Sequence, residues 1–128
     1  MKFKFPKNPD LGILLVRLGL GLVFVFHGLI KIQNASGTSA FFKSLGLPLF
    51  VAYLVIAIEL FGGIALIAGI MTRWAGWLLA FDMIGAIFLV KLHQGWPGLE
   101  FELLLLLSAI SVTLTGPGAY IVKKQHTK

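Results

Sequence analysis

Six ionisable side chains of this 128-residue chain lie in or beside strongly apolar sequence. Arg17, His27 and Lys31 fall inside RLGLGLVFVFHGLIKI, Glu59 in VAYLVIAIELFGGIALIAGI, Asp82 in WLLAFDMIGAIF, and Glu100 beside the leucine run of LEFELLLLL. Charges set in hydrocarbon-like sequence neutralise one another, hold a polar ligand, or exchange protons. Glu59 cannot reach water by extending its side chain, and the shorter Asp82 lies about 12 Å from the nearer end of its run. Each costs about 2.5 to 3.5 kcal/mol at such depth even on a lenient insertion scale, so both are expected to face an interior. Arg17, about 9 Å deep, is the natural partner of Asp82, Glu59 or both. His27 sits one turn inside its helix and cannot snorkel as a lysine does, so Glu100 is its expected partner. Lys31, Lys91 and Glu102 read more simply as charges at helix ends, with Glu100 and Glu102 in a first turn where the helix dipole favours anions.

The elements that must position these groups are helices in a bilayer. With 58% apolar and only 12% charged residues, the chain cannot clothe a soluble globule of its size. Four apolar runs, Leu11 to Ile32, Pro48 to Ile70, Trp74 to Leu92 and Leu99 to about Thr115, each cover roughly 25 to 34 Å. QNASGTSA, MTRW, HQGWPG and TGPG interrupt them with residues that stop helices. The runs are continuously apolar rather than alternating, which excludes a barrel of strands. The expected fold is therefore all-α: a single domain over residues 1–128, folded as an antiparallel bundle of four transmembrane helices.

Helical spacing puts Arg17, Gly21, Phe24, Gly28 and Lys31 within about 40° of one line. Glu59 shares its face with Ala52 and Gly63, and Asp82 shares one with Ala75, Ala86, Leu89 and His93. Small residues beside the charged ones are expected to let the helices approach closely. Lysine and arginine divide seven to three between the two sides, with Lys2, Lys4, Lys7, Arg73, Lys123, Lys124 and Lys128 against Lys31, Lys43 and Lys91. Both termini are therefore expected to be cytoplasmic.

The net charge of +6 reads as a topology signal and an attraction to anionic lipid, and no nucleic-acid partner is expected. The first run is too long for a signal-peptide core, contains Arg17 and His27, and is followed by no A-x-A site. The absence of cysteine excludes thiol relays, iron–sulfur clusters and cysteine-based zinc sites, so any redox role needs a bound cofactor or quinone. His27 and His93 lack a helix-flanking haem pattern, and the Glu-x-x-His pair of di-iron bundles is missing, so no metal site is expected.

In order along the chain come an arginine, then HGLIK, IELFGG, TRWAGWLLAFDM, LEFE and GPG. Together they resemble the DoxX family of small four-helix membrane proteins, over Leu15 to Gly118, departing from it in the tail IVKKQHTK. The resemblance implies a subunit or accessory of a membrane redox system in a bacterial or archaeal plasma membrane, with polar family positions at Arg17, His27, Lys31, Glu59, Asp82 and Glu100. These are the expected ligand-binding residues for a quinone or another small molecule. His27 would bond a carbonyl oxygen of the quinone, and Glu59 or Glu100 would exchange the accompanying proton. Two other readings use the same residues: a non-catalytic scaffold for a soluble partner enzyme, with the charges as a structural ion network, and a small-molecule or proton carrier acting as an oligomer.

Overall fold

The computed structural model describes residues 5–122; Lys2, Lys4, Lys123, Lys124 and Lys128 of the charge count, and most of the divergent tail, lie outside them. Among the described residues the chain forms five α-helices and one 3₁₀ turn, and no strand. The helices are α1 (Pro9–Gln33), α2 (Ala35–Ser44), α3 (Leu49–Ala68), α4 (Thr72–Leu89) and α5 (Trp96–Thr115), with the 3₁₀ turn at Lys91–Gln94. All but α2 are long and apolar enough to cross a bilayer.

Local chemistry explains most boundaries. The Asn8 side chain accepts the Leu11 N–H at 3.1 Å, and Pro9 and Asp10 fill the first turn of α1. Gly69 closes α3 at φ +76°, a left-handed position open to glycine without strain. In α5, Pro97 stands in the first turn, so the helix begins at Trp96 rather than Leu99. The third span ends at Leu89 rather than Leu92, because the backbone tightens into the 3₁₀ turn that follows.

The segment after the first span is a correction to the expectation of a plain connection. Asn34 accepts the Gly37 N–H at 3.3 Å and starts the ten-residue helix α2. Ser, Thr and Gly weaken a helix without forbidding it, and one cap with two phenylalanines to lay against a neighbour is enough. No residue of α2 is fully buried, so it rests on the bundle as a cover, not a span.

In the bundle, α1 packs chiefly on α3 and α4 on α5, with α3 against α4 joining the two pairs. Leu20, Phe24, Leu66, Leu79, Leu105 and Val112 form the core. Large apolar side chains point outward instead of in, among them Phe61 at 71% and Leu114 at 71% exposure, as required of a surface solvated by lipid. The expected close approach occurs where α1 crosses α3. A Cβ on Gly21 would lie 2.7 Å from the Gly63 carbonyl oxygen, and one on Gly63 would lie 2.8 Å from that of Gly21.

After α5 the chain turns back beneath α1 and α3. Ala119 N–H donates to Asp10 Oδ1 at 3.1 Å, and Val122 N–H donates to the Ala68 carbonyl at 3.0 Å. The start of α1, the α3–α4 turn and the segment after α5 thus share one end of the bundle, while α2 and the 3₁₀ turn occupy the other.

Candidate functional site

Arg17 does not do what its type and depth suggested. It is completely buried, and its guanidinium donates to four backbone carbonyls: Nε to Leu66 at 2.8 Å, Nη2 to Ile67 at 3.1 Å, and Nη1 to Pro117 at 2.7 Å and Tyr120 at 2.6 Å. Leu66 and Ile67 belong to the last turn of α3, whose carbonyls have no partner within the helix and carry its negative end. A forked, permanently charged donor satisfies them better than any other side chain. The expected pairing with Asp82 or Glu59 is therefore absent, and Arg17 closes the end of the bundle away from α2.

The remaining polar groups converge at the α2 end. The last turns of α1 carry His27 and Lys31, the middle of α3 carries Glu59, α4 carries Asp82, the 3₁₀ turn carries Lys91, and α5 carries Glu102. Lys31 Nζ meets Glu59 Oε2 at 2.7 Å, with Glu59 only 2% exposed. Lys91 Nζ stands 3.5 Å from Glu102 Oε1. The Asp82 carboxyl is hydrogen-bonded to that of Glu59 and lies within the field of Lys31, while its buried Oδ2 finds no N–H or hydroxyl donor. Three carboxyl groups thus face two ammonium groups, and Asp82 is the one of the three without an ion-pair partner among the described residues.

These side chains border a cavity of about 440 Å³, within the range of small-molecule sites. Its other walls are apolar: Phe41 and Phe42 from α2, Val51 and Val55 from α3, and Phe81 and Leu89 from α4. The lining thus offers charge and hydrogen bonds for a polar group together with apolar surface for a flat or aliphatic body. Among the described residues no three His, Asp or Glu side chains stand close enough to share a metal ion.

Of the expected site residues, His27, Lys31, Glu59 and Asp82 are brought together around this cavity, whereas Arg17 and Glu100 are not among its lining residues. Glu100 is exposed, and His27 lies against the ring of Phe101, centroids 5.8 Å apart, instead of pairing with Glu100. Helical phase is the reason. Glu102, Leu105, Ala109 and Val112 form the buried stripe of α5, and two residues turn a helix by about 200°, so Glu100 points away. Because α5 starts at Trp96, neither glutamate lies in its first turn.

Sequence reasoning left Glu102 and Lys91 as helix-end charges and did not anticipate Phe41 and Phe42. The spacing of Glu102 with Leu105 and Ala109 could have located the first, and the cap at Asn34 could have located the helix that presents the last two.

Comparison with known proteins follows the same lines. The family description DoxX matches residues 12–92. The chain is 48% identical over 111 residues to "Putative oxidoreductase CatD" of Bacillus subtilis, covering 86% of this chain and 83% of that one. It is 32% identical over 126 residues to "Inner membrane protein YqjF" of Escherichia coli, covering 95% and 97%. An uncharacterized membrane protein of Mycobacterium tuberculosis is 29% identical over 133 residues, with 91% and 82% covered. No solved structure matches the chain significantly.

Proposed function

Because this chain belongs to the DoxX family of bacterial membrane proteins, we propose that it is an accessory or subunit of a membrane redox system that binds a quinone in the cavity beneath α2. The observation that carries the reading is that a single cavity is lined both by charged groups, among them Lys31, Glu59 and Asp82, and by aromatic and aliphatic side chains. A quinone combines the same two characters. Its carbonyl oxygens accept hydrogen bonds, for which His27 and Lys31 are the available donors, and its ring and chain match Phe41, Phe42 and Val55. Reduction of a quinone takes up two electrons and two protons, and the electrons would come from a partner protein. The contribution of this chain is to orient the head and to relay protons through Glu59 and Asp82, which share one ammonium between two carboxyl groups. The oxidoreductase name carried by the Bacillus subtilis relative supports the same direction.

Equilibrium binding of a decyl-chain benzoquinone to the protein in lipid nanodiscs, corrected against empty nanodiscs, tests the proposal. Saturable binding is expected, weakened about tenfold by Glu59→Gln and His27→Ala and left unchanged by Glu100→Gln, a difference of about 1.4 kcal/mol. Thermal unfolding of each variant accompanies the titration. If the wild type binds nothing above the lipid background, quinone binding is wrong. If Glu59→Gln loses stability with no wild-type binding to lose, the Lys31–Glu59 pair belongs to a scaffold whose work is done by a partner enzyme.

A further inference from the structure

The cavity has a feature that bears on how it is filled and with what. α2 and α4 both line it, yet α2 rests only on α1 and α3 and makes no close backbone approach to α4. The cover helix therefore does not pack backbone to backbone against that wall. Phe41 on α2 is 48% exposed, and Phe81 and Leu89 on α4 are 65% and 46% exposed, although all three also line the cavity. Side chains that border both the cavity and the outer surface mark a mouth. Between Phe81 and Leu89 on the same face of α4 stands Gly85, also a lining residue, where an added Cβ would meet nothing within 4 Å. Gly21 and Gly63 are glycines because backbones touch there, whereas Gly85 leaves open space. The surface around this mouth is apolar and belongs to the lipid-facing side of α4, which also carries Phe88 at 64% exposure. About one turn below Gly85 lies Asp82, whose buried Oδ2 finds no N–H or hydroxyl donor.

We propose that the cavity is loaded sideways from the bilayer between α2 and α4 at Gly85, and so selects ligands with a hydrogen-bonding ring head and an apolar chain that stays in lipid. The head reaches Asp82 and the Lys31–Glu59 pair while the chain runs out past Gly85 between Phe41 and Phe81. A water-soluble ring without a chain has the same polar contacts but gains nothing from the mouth. The inference rests on the reading of the cavity as a quinone site, and adds to it the route and the requirement for a chain.

The experiment compares two probes with the same dimethoxy-methyl-benzoquinone ring, one with a decyl chain and one without, on protein in nanodiscs. Gly85 is replaced by Ala, Val and Leu, and Gly19→Leu is the control, since Gly19 is exposed on α1 with open space around it and does not line the cavity. A Cβ at Gly85 meets nothing within 4 Å, and alanine, leucine and valine all favour a helix over glycine, so the thermal midpoint of Gly85→Ala should equal or exceed that of the wild type, and those of the Val and Leu variants are measured alongside the titrations.

The expected result is a graded loss of affinity for the decyl probe, reaching at least tenfold with Leu, while the chainless probe changes less than twofold and Gly19→Leu changes neither. Unchanged decyl binding in Gly85→Leu overturns the sideways route and leaves quinone binding intact. Equal loss of both probes also overturns it, because the added side chain then obstructs the head site rather than a chain passage. Failure of both probes on the wild type removes the quinone reading itself, and with it this inference.

Discussion

Arg17 and Glu59 are both charged, both buried, and bound in opposite ways. Glu59 meets a mobile cation from another helix, so its environment changes if Lys31 moves or a ligand competes. Arg17 is held by four carbonyl oxygens that cannot move without unwinding the end of α3 or the segment after α5. The first arrangement suits a site, and the second is a clamp. Replacing Arg17 with Met strips the carbonyls of their donor and should destabilise the protein by about 3 kcal/mol or more, since hydrogen bonds to charged groups are worth about 1.5 to 3 kcal/mol each. Arg17→Lys keeps the charge but not the fork, and roughly half the loss is expected. Thermal unfolding in detergent at several detergent concentrations measures both. Two variants as stable as the wild type would mean that the carbonyls find other donors and that the clamp carries no weight.

At the scale of elements, the contact of α1 with α3 determines where Lys31 meets Glu59. That contact is set at Gly21 and Gly63, where the two backbones approach too closely for any Cβ. Gly21→Val would force the helices apart and separate Lys31 from Glu59, which lies about one turn along α3 from Gly63. The expected outcome is a loss of several kcal/mol or failure to accumulate as folded protein, by analogy with overpacked cores in which even a methylene is felt. Gly12→Val, a position on the same helix with open space around it, should be tolerated. Yield of monodisperse protein on size-exclusion chromatography separates the two. Comparable yields would show that the helices can slide apart without harm, and the geometry of the ion pair would then need another explanation.

For the molecule as a whole, one end is closed and the other is open. The Arg17 clamp, Asp10 and the turn after α5 seal the end where the described termini meet, while the cavity, α2 and the 3₁₀ turn occupy the opposite end. The distribution of lysine and arginine orients the sealed end toward the cytoplasm as a proposal, which makes the cavity open near the outer leaflet. The absence of cysteine provides a clean background for testing it. Single cysteines at Lys7 and Arg73 should react with a membrane-impermeant maleimide only after cells are opened, and cysteines at Lys43 and His93 should react in intact cells. The reverse pattern would turn the protein over and move the cavity to the cytoplasmic side.

The sequence by itself determined the solvent, the helix class, the four spans and the inward faces of α1 and α3. Those follow from hydropathy and from the 100° step of a helix, which are properties of neighbouring residues. On α4 only Ala75 of the residues grouped with Asp82 is fully buried, and Leu89 and His93 are exposed. The sequence also identified Glu59 and Asp82 as groups that must turn inward, because charge in lipid has few alternatives, while Lys31 read as a helix-end charge and joined them only through the family resemblance. Only the tertiary structure decided that Arg17 belongs to the α3 carbonyls and not to the carboxylates, since its choice depends on which helix end lies beside it. The structure decided that Glu102 rather than Glu100 faces the cavity, because the rotation of a helix apolar nearly all round is set by the packing of Leu105, Ala109 and Val112, to which their spacing from Glu102 was the one hint in the sequence. The cover helix α2 arises where a weak helix former finds a surface to rest on. Beyond the local cap at Asn34, that outcome is settled by packing between distant segments.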